Sequence, residues 1–136
     1  MIKYNQSYSV SIILPILNEI NSLKKTIKIL NKINVQKEYL IIYSEKLTND
    51  RVKKEIIYLK KRNKNISYKS QLRPFVGGAI DLGIKLAKKN YIVIMASDLE
   101  TNPNELKNMI KSSIRNPNCI ISADRWISHK GFYNYG

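Results

Sequence analysis

Short β-branched apolar runs alternate with amphipathic helical stretches along this 136-residue chain, and each run stops at polar or acidic residues, a pattern that predicts an α/β fold. Successive strands separated by helices require right-handed crossovers, so the central sheet is expected to be mainly parallel and covered on both faces, a Rossmann-like layered sandwich. The length suits one domain over residues 1–136 with its own core and is too short for two ordinary ones.

Ser9 to Leu14 (SVSIIL) reads as a buried strand, short, β-branched and stopped by Pro15. A helix is expected from Ser22 to Lys32, with Leu23, Ile27 and Leu30 on its apolar face and Asn21 or Ser22 as its cap. Tyr39 to Tyr43 (YLIIY) forms the second strand, and Asn49 to Arg62 a helix with Val52, Ile56 and Leu59 inward. Ile66 to Lys69 is a short third strand. The stretch from Val76 reads as a two-glycine loop feeding a helix whose buried side carries Ala79, Leu82 or Gly83, Leu86 and Ala87. Small residues there let the helix approach the sheet closely. Tyr91 to Met95 is the fourth strand, and Pro103 to Arg115 a helix with proline in its first turn, stopped by Asn116-Pro117. Cys119 to Ser122 is expected as a fifth strand with Cys119 in the core, followed by a tail without periodicity.

The hydrophobic share of 43% fits a soluble globular protein, and no run of 18 apolar residues marks a membrane span. The N-terminal MIKYNQSYS lacks the apolar core of a secretory signal, and one cysteine, Cys119, cannot form an intramolecular disulfide. Neither it nor the lone His129 has zinc-ligand spacing, and a reducing, cytoplasmic setting is expected. Lys and Arg total 24 against 10 Asp and Glu, a net charge of +14. The lysines are spread over several helices rather than gathered in one stripe, which favours a solvated basic surface and no nucleic-acid partner. Attraction to anionic lipid or to a phosphorylated substrate is the remaining reading of that charge.

Chemistry-bearing residues gather where a parallel sheet presents its strand C-termini, the usual ligand crevice of open α/β folds. The first strand ends in Pro15-Ile16-Leu17-Asn18-Glu19, the second in Tyr43-Ser44-Glu45, and the fourth in Ala96-Ser97-Asp98-Leu99-Glu100. Three strand ends offering carboxylates suit Mg²⁺ or Mn²⁺ bridged to substrate phosphates. The plainer reading of Asp98 and Glu100 is favourable charge at a helix N-terminus. For Asn18-Glu19 it is a turn and a helix start. The Gly77-Gly78 pair either relieves crowding, the preferred role, or lets the backbone approach a ligand. Arg125-Trp126 also reads as a packed strand end with a surface cation, and His129 as an exposed residue.

The order P-x-x-N-E after the first strand, G-G-A-x-x-x-G-x-x-x-A before the fourth, M-x-x-D-L-E-x-x-P after it, and R-W with a G-F-x-x-Y-G tail resembles family 2 glycosyltransferases, nearest in type to the polyprenyl- or dolichol-phosphate sugar transferases. The resemblance covers nearly the whole chain and implies the nucleotide-sugar half of a GT-A domain, a three-layer sandwich, truncated at Gly136 before the acceptor half. It places Pro15, Asn18 and Glu19 against the nucleoside, Ser44 or Glu45 near the base and ribose, and Gly78, Ser97, Asp98 and Arg125 at the nucleotide sugar. The family's acidic Gly-Ser signature after the second strand is absent, so uridine and guanosine are not distinguished.

The family's D-x-D metal motif aligns on Ala96-Ser97-Asp98, which lacks the first carboxylate; Asp98 and Glu100, alternate residues of an extended segment, would supply the metal ligands between them. Arg125, with Lys130 as an auxiliary, would reach the diphosphate. The implied activity is transfer of a sugar from a nucleotide-diphosphate sugar to a lipid-linked phosphate or a glycan with Mg²⁺ or Mn²⁺, peripheral to the inner face of a membrane when the acceptor is lipid-linked. The alternative is a truncated or non-catalytic GT-A module that binds nucleotide without transfer. A Rossmann dehydrogenase is disfavoured because no G-x-G-x-x-G follows the first strand, and a phospho-accepting receiver domain because Pro15 stands where an acidic cluster is needed.

Overall fold

The computed structural model describes residues 8–123, and within them the chain is a four-stranded, all-parallel sheet with helices on both faces. Strand β1 (Ser9–Ile16) is followed by α1 (Ile20–Asn31), β2 (Gln36–Tyr43), α2 (Asp50–Arg62), β3 (Ile66–Ser70), α3 (Phe75–Leu86) and β4 (Tyr91–Ile94). A 3₁₀ turn over Pro103–Glu105 then leads into α4 (Leu106–Arg115). The sheet order is β3-β2-β1-β4, so the chain reverses its direction of travel across the sheet at the β1/β4 boundary. This boundary is the switch point at which an open α/β sheet leaves a crevice. The layered, Rossmann-like sandwich expected of a GT-A domain is the fold observed.

Alternation along β1 divides the core. Val10, Ile12, Leu14 and Ile16 point to one face, where they meet Leu23, Ile27 and Leu30 of α1, Val52 and Ile56 of α2, and Leu106 and Ile110 of α4. Ile13 points to the other and packs with Leu40, Ile42 and Ala79 of α3. Gly83 makes that second contact possible: a Cβ there would lie 2.5 Å from Ile13 Cγ2, so only glycine lets α3 settle on β1. The opposite end of the sheet is closed by polar side chains. Ser11 Oγ donates to Glu38 Oε1 (2.6 Å), Glu38 accepts the Lys88 amide (2.8 Å) and Ser11 Oγ the Lys89 amide (3.0 Å), which satisfies the α3–β4 connection.

Three local expectations are corrected. Helix α1 begins at Ile20, so Asn21 and Ser22 lie inside it and Glu19 occupies the cap position. Helix α3 begins at Phe75, so Gly77 and Gly78 are helical rather than a loop. Helix α2 begins at Asp50, and Asn49 is its cap, its Oδ1 accepting the Val52 amide at 2.9 Å. The fifth strand is not formed: Cys119 to Ser122 carries no strand pairing, Cys119 is exposed, and Ile120 is 99% exposed. Apolar propensity makes a strand only where a neighbouring backbone completes the ladder, and none of the described residues pairs with the outer edge of β4. No helix of the described residues is long and apolar enough to cross a membrane.

Candidate functional site

All four strands end on one crevice of about 850 Å³. Pro15 to Leu17 and Glu19 enter from β1, Ser44 to Leu47 from β2, Gln71 to Val76 from β3, and Ile94 to Asp98 from β4. Its lining therefore includes Pro15, Glu19, Ser44, Glu45, Ser97 and Asp98 of the residues expected from sequence. Asn18, Gly78 and Glu100 are not in that lining. Arg125, with Trp126, His129 and Lys130, lies outside the described residues.

The Asn18-Glu19 pair ties the strand-end loops together. Asn18 Oδ1 accepts the Asn49 amide at 2.9 Å and its Nδ2 donates to the Leu47 carbonyl at 3.3 Å, which fastens the β1–α1 loop to the β2–α2 loop. Glu19 turns its carboxylate back instead of capping α1, and accepts the Leu17 amide at 3.2 Å and the Asn18 amide at 2.9 Å. Ser97, buried at the end of β4, places its hydroxyl 2.7 Å from the Pro15 carbonyl and 2.9 Å from Glu19 Oε1. Partial burial alone pushes the Glu19 carboxyl up; the amides of Leu17, Asn18 and Glu19 and the Ser97 hydroxyl outweigh it and hold the group ionised below its ordinary range.

On the β2 side, Ser44 is engaged in its own turn, its Oγ accepting the Leu47 amide at 3.2 Å. Glu45 pairs with Lys53 at 2.7 Å, and that hydrogen bond, ahead of every other influence, holds its carboxyl low. Gly78 faces the protein: a Cβ would lie 2.2 Å from the Arg73 carbonyl, so its bareness seats the β3–α3 loop on α3. That supports the packing role for this glycine.

Beyond β4 the chain bends rather than continuing extended, with Leu99 at φ 67. The alternating geometry expected to aim Asp98 and Glu100 together is therefore replaced by a turn in which Asp98 Oδ1 accepts the Glu100 amide at 3.0 Å. Asp98 is exposed and lines the crevice. Among the described residues no three His, Cys, Asp or Glu side chains cluster closely enough to hold a metal ion by themselves. One carboxylate at the mouth remains compatible with Mg²⁺, which takes one or two protein carboxylates and completes its shell with substrate phosphates and water.

The wall from Gln71 to Val76 contributes six lining residues that sequence reasoning passed over. Its signal is apolar residues where polar ones are usual, Leu72 in the β3–α3 connection and Phe75 and Val76 in the first turn of α3, and they are 88%, 85% and 64% exposed. Lys46 and Arg73 bring positive charge to the same crevice.

No curated protein matches the chain. The family model described as Glycosyl transferase family 2 matches residues 11–136, which include all four strands but the first two residues of β1 and the whole crevice lining. With that match and a parallel sheet whose strand ends meet in one crevice, the chain belongs to glycosyl transferase family 2.

Proposed function

We propose that the crevice binds a nucleotide-diphosphate sugar and that the protein transfers the sugar to a lipid-linked phosphate or a glycan, with Mg²⁺ or Mn²⁺ held at Asp98. The observation that carries this reading is the convergence of all four strand ends at the switch point of a family 2 domain, in a crevice lined by the carboxylates of Glu19, Glu45 and Asp98 and the cations of Lys46 and Arg73. Lys46 and Arg73 attract the diphosphate, and the apolar lining holds the flat and aliphatic parts of the donor away from water. Asp98, exposed and lining the crevice, would be the residue that holds the cation. A bound divalent ion supplies Lewis-acid neutralisation of the departing nucleoside diphosphate. Glu19 keeps the β1 and β4 ends in register and takes no part in proton transfer, since its carboxylate is already occupied by amides. A phosphate acceptor is ionised beforehand and needs no base. The net charge of +14 suits such an acceptor, and a peripheral position at an anionic membrane follows from a lipid-linked one.

Ala96 favours a second reading, nucleotide binding without transfer, because it leaves one carboxylate where the family's metal motif has two. Calorimetric titration with UDP- and GDP-sugars, with and without Mn²⁺, tests the first claim. Binding that tightens with Mn²⁺ is expected, and a folded sample that binds neither sugar nucleotide removes both readings. Sugar transfer in the presence of a polyprenyl phosphate then separates the transferase from the binding module.

A further inference from the structure

Phe75 has a conformation that its packing does not explain. Its backbone lies at φ 64, in the left-handed region that a bulky L residue avoids. Its side chain is 85% exposed, so burial does not offset the strain. The loop before it is nevertheless braced. Gln71 Nε2 donates to the carbonyls of Arg73 (2.7 Å) and Phe75 (3.0 Å), while the Gln71 amide donates to the Tyr43 carbonyl at 2.8 Å. Gly78 then admits the Arg73 carbonyl where a Cβ would collide with it. A strained residue that its surroundings over-determine is the pattern found at ligand clamps.

The position fits that pattern, because Phe75 lines the crevice along with Lys46 and Arg73. An exposed aromatic side chain in a crevice that also carries Lys46 and Arg73 matches a flat heteroaromatic ring that carries phosphate: the ring stacks, and the phosphate meets the cations. Resting on the nucleotide-sugar reading above, we propose that Phe75 is the stacking platform for the nucleobase of the donor. Every base has a π-face, so this contact adds affinity without choosing between uracil and guanine. A hydrocarbon chain in the same place would need only an apolar surface, not an aromatic one.

The test compares the full chain with Phe75→Leu, Phe75→Tyr and Phe75→Gly, each titrated with UDP, GDP and pyrophosphate in Mn²⁺. Phe75→Leu and Phe75→Gly are expected to weaken UDP and GDP about tenfold, the worth of one base–aromatic stack. Phe75→Tyr keeps the affinity, and pyrophosphate binds all four proteins alike. Phe75→Gly also relieves the left-handed strain, so its melting temperature does not fall, which separates lost affinity from lost structure. Unchanged UDP affinity in Phe75→Leu overturns the proposal, as does an equal loss of pyrophosphate binding or a lower melting temperature in Phe75→Gly. A wild type that binds pyrophosphate but neither nucleotide overturns the stacking role alone among the features of the phosphate site; one that binds none of the three removes the nucleotide reading with it.

Discussion

Glu19 and Asp98 both follow a strand, both line the crevice, and both read from sequence as ligand-facing acids, yet the structure treats them differently. Glu19 is surrounded by donors from its own loop and by the hydroxyl of Ser97, so its charge is spent holding the end of β1 to the end of β4. Asp98 makes a turn contact through one oxygen and stays exposed at the mouth. A carboxylate at a strand end is thus not a ligand by position alone. The one with satisfied hydrogen bonds builds the wall, and the one left in solvent is available to a cation.

The largest effect expected from breaking this contrast is in stability. Glu19→Ala leaves two loop amides and a buried hydroxyl without their charged acceptor, and should lower the unfolding free energy by about 2 kcal/mol in urea denaturation. Its pH dependence sharpens the point. Glu19 is held below the ordinary carboxylate value of 4.5, so its stabilisation is complete above that value and is lost as pH falls through the folded pKa. The stability gap between wild type and Glu19→Gln should therefore narrow on acidification below pH 4.5, and a gap independent of pH would mean that the charge plays no structural part. Asn18→Ala comes next, at about 1 kcal/mol, since it removes neutral hydrogen bonds between two loops. Asp98→Asn should change unfolding by less than about 0.5 kcal/mol, as a surface substitution does.

The parallel sheet was legible because its strands are continuous β-branched runs such as SVSIIL and YLIIY, a pattern that burial on both faces demands. Gly77 and Gly78 read as a loop by helix propensity, which knows nothing of the Arg73 carbonyl that a side chain at 78 would strike; a Cβ at Gly77 would meet nothing, and no packing contact explains that glycine. The run CIIS after Asn118 looks like a strand by composition, but pairing is a tertiary property that composition does not encode. In the site, the positions of Asn18, Glu19 and Asp98 were readable from the strand ends. Their division of labour was not, because it depends on amides and a hydroxyl brought in from segments up to 78 residues away. The β3–α3 wall carries an apolar signal in the sequence, but only folding shows that Leu72 and Phe75 stay exposed beside a crevice instead of joining the core.

The contrast between the two acids is tested most directly by thermal unfolding of wild type, Glu19→Gln and Asp98→Asn, each alone and with a UDP-sugar or GDP-sugar plus Mn²⁺. Asp98→Asn should melt with the wild type when unliganded and lose the Mn²⁺-dependent part of the ligand-induced rise, while Glu19→Gln should melt lower before any ligand is added. An Asp98→Asn protein that keeps the full Mn²⁺-dependent rise, or that is destabilised as much as Glu19→Gln, would contradict the assignment of one acid to the wall and the other to the ligand.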